Sequence, residues 1–391
     1  MIIRAFEYYF DFKCIADRCE DTCCAGWEID IDDKSYESYM QVPGELGERL
    51  KKSIKTYDVS DEDGYEEIYE QHGFILDDDL RCPFLDKCGL CELYSALGEG
   101  ALCEVCTNMP RNFLEYGKTR EISISASCPE SARLLYASPE QLVIRESTID
   151  EEFPFEEDEE ELAFAGYLKE ARDAAIDILQ SREYDIKNRI EAFLLFAEKV
   201  QDRINRMDLD PIVDDDTDRL NELKETAKKG CKDIEPEEDN DIYRNFLMRL
   251  SIYSGLASIG DAWKETVEAL YELFADEDGA DPEEQKNAYI NAVSGVRQVM
   301  KSEKREYEYE HLAVYYAFLL LARCVDDRDF LSRAKLVKMS CEFGRDMDAL
   351  IFAQTGHFSK ADREKNARIY AREVEHSEEN LYDLHEEILF S

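Results

Sequence analysis

The chain has 391 residues, enough for a sizeable core and two domains, and its apolar content of 44% excludes wholesale disorder. It carries 91 acidic against 47 basic residues, a formal net charge of −44. A field of that sign repels nucleic-acid phosphates and anionic membranes and favours a cationic, lysine-bearing protein surface. The same charge serves solubility, and acidity alone names no substrate.

The N-terminus, MIIRAFEYYFDFK, has no basic stretch followed by a long apolar run, so it does not read as a signal peptide. The longest apolar run, residues 312–322, is about half of what a membrane span requires. The expected location is therefore the cytoplasm, where thiols stay reduced. That setting, together with an odd cysteine total of 13, disfavours a disulfide framework.

In chain order, residues 1–140 mix short elements with loops. Residues 28–32 (EIDID), 73–76 and 121–126 (EISISA) read as short strands, separated by turn signals at Pro43-Gly44, Asp63-Gly64 and Cys82-Pro83. Little here supplies a self-sufficient hydrophobic core, and bound metal is the available staple. The acidic run TIDEEFPFEEDEEE reads as a linker or a solvated helix start. Beyond it, Leu162, Ala165, Leu168, Ala171, Ala175 and Ile178 recur at helical spacing, and Ile186, Ile190, Phe193, Leu194 and Ala197 repeat the pattern. Acidic breaks follow at 208–218 and 233–241. The run LAVYYAFLLLA at 312–322 is apolar all round and should be a central buried helix, and a last long helix is expected over 361–389. The expected fold is mainly α: an irregular cysteine-rich N-terminal metal or cluster domain with a few short strands (1–140), then an all-α helical domain (160–391).

Ten of the 13 cysteines fall within residues 14–128. Cys14, Cys19, Cys23 and Cys24 read C-x4-C-x3-C-C, and Cys82, Cys88, Cys91, Cys103, Cys106 and Cys128 follow. Zinc and iron–sulfur clusters both take thiolates at such short spacings, because a loop must wrap around one centre. Core packing alone would leave the clustering unexplained. Spacing does not choose the metal, although His72 is the one histidine in the region, which favours all-thiolate sites. The C-x3-C-x2-C triplet of common radical enzymes is absent, as are G-x-G-x-x-G, G-x-S-x-G and H-E-x-x-H.

The segments CEDTCCAGW (19–27), CPFL (82–85), GLC (89–91), Cys106 followed by Pro110 and Arg111, and SCPE (127–130) resemble the flagellin lysine-N-methylase family. Residues 307–331 and 369–381 (IYAREVEHSEENL) are similar to that family's C-terminal motifs. The resemblance implies an enzyme moving a methyl group from S-adenosylmethionine to lysine amines of flagellin, dependent on a [4Fe-4S] cluster, with zinc as the alternative metal. The family's cysteine pattern matches Cys14, Cys19, Cys23, Cys24, Cys82, Cys91, Cys106 and Cys128, whereas Cys88 and Cys103 depart from it. Glu375 and His376 are candidates for proton handling, against a competing reading as a helix cap or inter-domain contact. Trp27 and Arg111 are candidate cofactor contacts, Trp27 by packing and Arg111 by binding a carboxylate. The rival function is a non-catalytic zinc- or iron-chelating, metal-handling protein sharing the cysteine motifs.

Overall fold

A computed structural model describes residues 1–391 except 61–67, 151–158, 208–211, 214, 236, 276–280 and 390–391. The expected turn at Asp63-Gly64, most of the acidic run before 159 and parts of both later acidic breaks lie outside the described residues. By contacts the chain forms two units. One comprises Phe12–Asn112 with Cys128–Ser131; the other comprises Met1–Asp11, Phe113–Ser127 and Ala132–Ser391. Residues 1–11 and 113–127 thus count with the helices rather than with the cysteine loops, because Phe6 and Ala126 bury in the helical core.

Strand β1 (Ile2–Phe6) opens the chain and belongs to the larger unit. The smaller unit contains β2 (Asp30–Ile31), α1 (Asp33–Met40), α2 (Gly44–Ser53), β3 (Ile54–Ser60), β4 (Ile68–Phe74), α3 (Glu92–Leu97) and α4 (Glu104–Asn108). Its three strands form an antiparallel sheet in the order β2-β4-β3. Of the EIDID segment only two residues are strand, because the Asp32 carboxylate turns to cap α1, accepting from Ser35 N at 2.9 Å. Among the described residues, the buried core of this unit is nine side chains, two of them Cys82 and Cys103. So few buried groups for about a hundred residues is the sparse core the sequence implied.

In the larger unit, β5 (Arg111–Tyr116), β6 (Thr119–Ile124), α5 (Pro129–Leu135) and β7 (Ile144–Thr148) precede the helices, β5 and α5 each beginning in the smaller unit. The sheet order is β5-β6-β1-β7, with β1 parallel to β6 and antiparallel to β7. Strand β7 occupies a stretch expected to be part of a linker: residues 144–148 are mostly exposed and polar, as an edge strand is, so composition hid it. Next come α6 (Glu159–Leu179), α7 (Ile186–Ile204), α8 (Asp215–Gly230), α9 (Asp239–Ser254), α10 (Asp261–Phe274), α11 (Pro282–Ser302), α12 (Tyr307–Ala322), α13 (Cys324–Asp327), α14 (Phe330–Thr355), α15 (Lys360–Val374) and α16 (Glu378–Leu389). Helix α12 is buried on every side, as its apolar run requires. Among the described residues no helix is long and apolar enough to cross a membrane.

The single helix expected over 361–389 is two, α15 and α16. The backbone breaks at residues 375–377 because the Ser377 hydroxyl accepts from Asn380 N at 3.0 Å and starts a new helix. The Asn380 side chain then donates to Glu373 O at 2.8 Å and to Ala257 O at 2.9 Å, holding the joint. This joint carries Glu375 and His376.

A buried ionic cluster ties the sheet to the helices. Arg4 on β1 and Glu121 on β6 are register partners and form an ion pair of 3.0 Å. Arg172 on α6 grips the same carboxylate twice, at 2.6 and 2.9 Å, and also donates to Tyr116 OH and Phe318 O. Asp173 supplies a further partner for Arg4. Removing one member of such a cluster leaves uncompensated buried charge, at a cost of roughly 3–5 kcal/mol. Glu121→Ala is therefore expected to lower the unfolding free energy of the larger unit, measured by urea denaturation, by an amount in that range, whereas Glu115→Ala, outside the cluster, should change it little.

Candidate functional site

The thiols of the smaller unit gather into two neighbourhoods. Cys14, Cys19, Cys23 and Cys128 act on one another electrostatically, as do Cys24, Cys82, Cys91, Cys103 and Cys106. A hydrogen bond between Cys23 and Cys24 links the two groups. The backbone enforces the second group: Cys82 N donates to Cys24 O at 2.8 Å, and Cys91 bridges to Leu85. Cys91 and Cys103 are the N-caps of α3 and α4, and Cys128 immediately precedes α5. Helix N-termini favour thiolate over thiol.

Within each bonded pair, one sulfur keeps the proton and its neighbour is drawn towards thiolate. The hydrogen bond from Cys23 holds Cys24 down at about 7, and that from Cys106 holds Cys103 below the ordinary thiol value. Burial pushes Cys82 up to about 12 and also raises Cys91 and Cys128. In kind and in neighbourhood these donors fit a thiolate-ligated centre. Among the described residues, however, no three of His, Cys, Asp or Glu converge closely enough to hold a metal ion.

Cys103, which departs from the family pattern, is buried beside Cys106, and its sulfur lies 3.5 Å from Asp30 O. Its C-x2-C spacing with Cys106 already fits a zinc or iron–sulfur centre, and its burial adds to that. Cys88 is exposed, in a turn where its N–H donates to Asp86 at 2.7 Å. His72 stacks on Tyr36 and bonds Thr56 at 3.0 Å. Trp27 packs against the core that holds Cys82 and Cys103, and its Nε1 donates to Cys23 O at 3.2 Å. The Arg111 guanidinium lies over the Phe12 ring, 5.4 Å from its centroid.

Glu375 and His376 meet a different set of residues, all in the larger unit. The Glu375 carboxylate accepts from Ser125 Oγ at 2.7 Å, Tyr315 OH at 2.8 Å and Tyr316 OH at 3.2 Å. His376 Nε2 lies 2.9 Å from the hydroxyls of both Ser125 and Ser127. A serine hydroxyl has one proton. With Ser125 donating to Glu375, Ser127 is left to donate to His376. Ala126 N donates to Tyr315 OH at 3.0 Å, fixing that ring.

Burial pushes Glu375 up to about 7, against the pull of its hydroxyl donors, and burial takes His376 down to about 4. Near neutrality the pair is thus a half-titrated carboxyl beside an uncharged imidazole. Tyr8 lies close enough to feel Glu375, and its buried hydroxyl has no hydrogen-bond partner among the described residues. Glu375 ends α15, yet its side chain serves this hydroxyl cluster rather than capping the helix. Ser125, Ser127, Tyr8, Tyr315 and Tyr316 were not singled out in the sequence. The tyrosine pair inside the apolar run of α12 was the available signal.

The family model for the FliB lysine N-methylase C-terminal domain matches residues 172–390. A lysine-N-methylase of Salmonella choleraesuis (strain SC-B67) is 26% identical over 151 residues, 35% of this chain and 33% of the relative. The lysine-N-methylase of Salmonella typhimurium (strain LT2) matches with the same identity and coverage. A flagellar biosynthetic protein FliU of Salmonella muenchen is 26% identical over 135 residues, 34% of this chain and 77% of that protein. The chain thus spans about a third of the length of the lysine-N-methylases it matches. No solved structure matches.

The opposed shifts at the joint make a pH prediction. A carboxyl raised from 4.5 to about 7 stabilises the fold at low pH and loses that contribution as pH rises through 7. A histidine lowered from 6.5 to about 4 stabilises at high pH and loses its contribution as pH falls through 4. The two offset each other between about pH 4.5 and 6.5. With only Glu375 left to titrate, His376→Gln should lose stability as pH rises from 4.5 to 7, and with only His376 left, Glu375→Gln should gain stability from 4 to 6.5, in urea midpoints measured across that range.

Proposed function

The chain belongs to the FliB lysine N-methylase family, and on that premise we propose that it is a protein-lysine N-methyltransferase using S-adenosylmethionine, with flagellin its substrate. The observation that carries the reading is the carboxyl of Glu375 set among tyrosine hydroxyls. A lysine amine is protonated at neutral pH and must lose that proton before its nitrogen can attack a methyl group. A carboxyl with a pKa near 7 is well matched to accept it. In the transfer, the amine nitrogen forms its bond to the methyl carbon as the donor's sulfur–carbon bond breaks, and the proton passes to Glu375.

Ser125 and Ser127 orient the two acid–base groups, and burial keeps His376 neutral, so that no second positive charge competes with the incoming amine. Tyr315 and Tyr316 hold the carboxylate, and their ring faces favour a cationic methylated product. The unpartnered Tyr8 hydroxyl supplies one further polar group for the amine. The net charge of −44 draws a lysine-bearing partner towards the protein.

We assign the thiols of the smaller unit to a [4Fe-4S] cluster, with Cys14, Cys19, Cys23, Cys24, Cys82, Cys91, Cys106 and Cys128 as the ligand pool. The buried position of Cys103 supports adding it to that pool. A bound cluster would tie together loops that share only a sparse apolar core. Trp27 would pack beside it, and Arg111 remains a candidate carboxylate contact.

Methyl transfer to purified flagellin, followed with labelled S-adenosylmethionine, tests the assignment. The rate is expected to rise with pH through about 7, as Glu375 loses its proton, and Glu375→Gln should cut it by about 10²-fold or more. A Glu375→Gln enzyme at the parent's rate and pH profile would overturn the role of Glu375. Separately, iron, sulfide and zinc analysis after anaerobic purification should show Cys103→Ser losing metal as fully as Cys106→Ser, while Cys88→Ser keeps it. Stoichiometric zinc without sulfide would replace the cluster with a zinc centre.

A further inference from the structure

A cavity of about 650 Å³ opens in the larger unit among the loop after α6, the start of α7, the α11–α12 connection and α14. Glu375 and His376 do not line it. Its volume falls in the range of roughly 300–1,000 Å³ usual for small-molecule sites. Ile186, Ile190, Ile242, Val293 and Met300 give it apolar walls.

The charges around it are unusual for this chain. Six basic and six acidic side chains line the cavity, whereas the whole sequence has 91 acids to 47 bases. Most are spoken for. Arg182 and Arg189 share Glu310, Arg297 pairs with Asp185, and Lys187 pairs with Glu237. Arg345 is the exception. Its Nε is buried with no hydrogen-bond partner, and among the described residues its guanidinium makes no ion pair. The acids nearest in charge, Glu342 and Asp346, are already held by Arg249 at 2.9 Å each, and Tyr289 also donates to Asp346. An arginine has five N–H donors, and leaving them unmade in a partly buried place is costly. At the rim, Lys304 is a second unpaired cation, and Glu183 and Glu306 are exposed acids without an ion pair among the described residues.

We infer that this cavity binds a small zwitterion of amino-acid type, with its carboxylate on Arg345, its cationic group towards Glu183 and Glu306, and an apolar or aromatic body against the isoleucine wall. An arginine fork matches a carboxylate with two parallel hydrogen bonds. Two sources share this chemistry. One is the methyl donor or its demethylated product, which rests on the methyl-transfer reading above. The other is a free amino acid, which does not.

The test is isothermal titration of the full-length protein with S-adenosylhomocysteine, its decarboxylated analogue, adenosine and methionine. The parent should bind a carboxylate-bearing ligand at least tenfold more tightly than the analogue that lacks the group. Arg345→Met should abolish that preference, Arg345→Lys should restore part of it, and adenosine binding should not change. Circular dichroism and thermal midpoints report whether the variants fold. If Arg345→Met does not fold, the analogue comparison on the parent and the rim variant Lys304→Ala, expected to weaken binding severalfold, still decide. Arg345-dependent binding of S-adenosylhomocysteine places the methyl donor here. Arg345-dependent binding of methionine without S-adenosylhomocysteine supports the cavity and removes the donor from it. A folded Arg345→Met protein with parental affinities, or a parent that binds no carboxylate preferentially, overturns the site while leaving lysine methylation to be judged by its own assay.

Discussion

The larger unit depends on one carboxylate. Glu121 on β6 meets β1 and α6 at one point, where Arg4 and Arg172 both close on it with almost no solvent. Neither arginine is tolerable there alone, so strand register, sheet position and helix position are fixed by one electrostatic requirement. Arg172 also donates to the Phe318 carbonyl on α12, which carries the constraint into the buried core.

What that constraint delivers is placement. Beyond Glu121, the chain leaving β6 carries Ser125 and Ser127, and α12 presents Tyr315 and Tyr316. The joint between α15 and α16 then brings Glu375 and His376 to these hydroxyls. A partly buried carboxyl held by three donors would ordinarily stay ionised; burial outweighs them and leaves it near 7. The smaller unit works on a different principle. With nine buried apolar side chains among its described residues, two of them among its ten cysteines, it has thiol pairs and helix N-termini where a larger domain would have packing.

Much of this was legible. The density of cysteines marked one region, and the uninterrupted apolar run of 312–322 marked the central helix, because both signals survive without tertiary context. Other features did not announce themselves. The break between α15 and α16 has neither glycine nor proline; a serine cap and an asparagine bridging Glu373 and Ala257 make it. Ser125 looked like a polar position of an ordinary strand and Ser127 like the start of a cysteine motif, since nothing local says which hydroxyl will meet a carboxyl or an imidazole some 250 residues away. Cys103 fell outside the family pattern although its C-x2-C spacing with Cys106 suits a thiolate centre, and its burial beside Cys106 brings it into the thiol group. Strand β7 is too polar to stand out from the acidic stretch that follows it.

The excess of acid is a property of the surface, and the interior obeys a stricter rule. Arg4, Arg172, Arg249 and Arg363 are among the largest fully buried side chains, and each is matched to at least one carboxylate. In a chain with nearly two acids for every base, a buried or half-buried arginine should have no difficulty finding a partner. Arg345 has Glu342 and Asp346 close by, yet both are turned to Arg249. Its open donors face a cavity walled by isoleucine and methionine. Where partners are so abundant, an unmatched guanidinium is better understood as a group reserved for something that is not part of the chain.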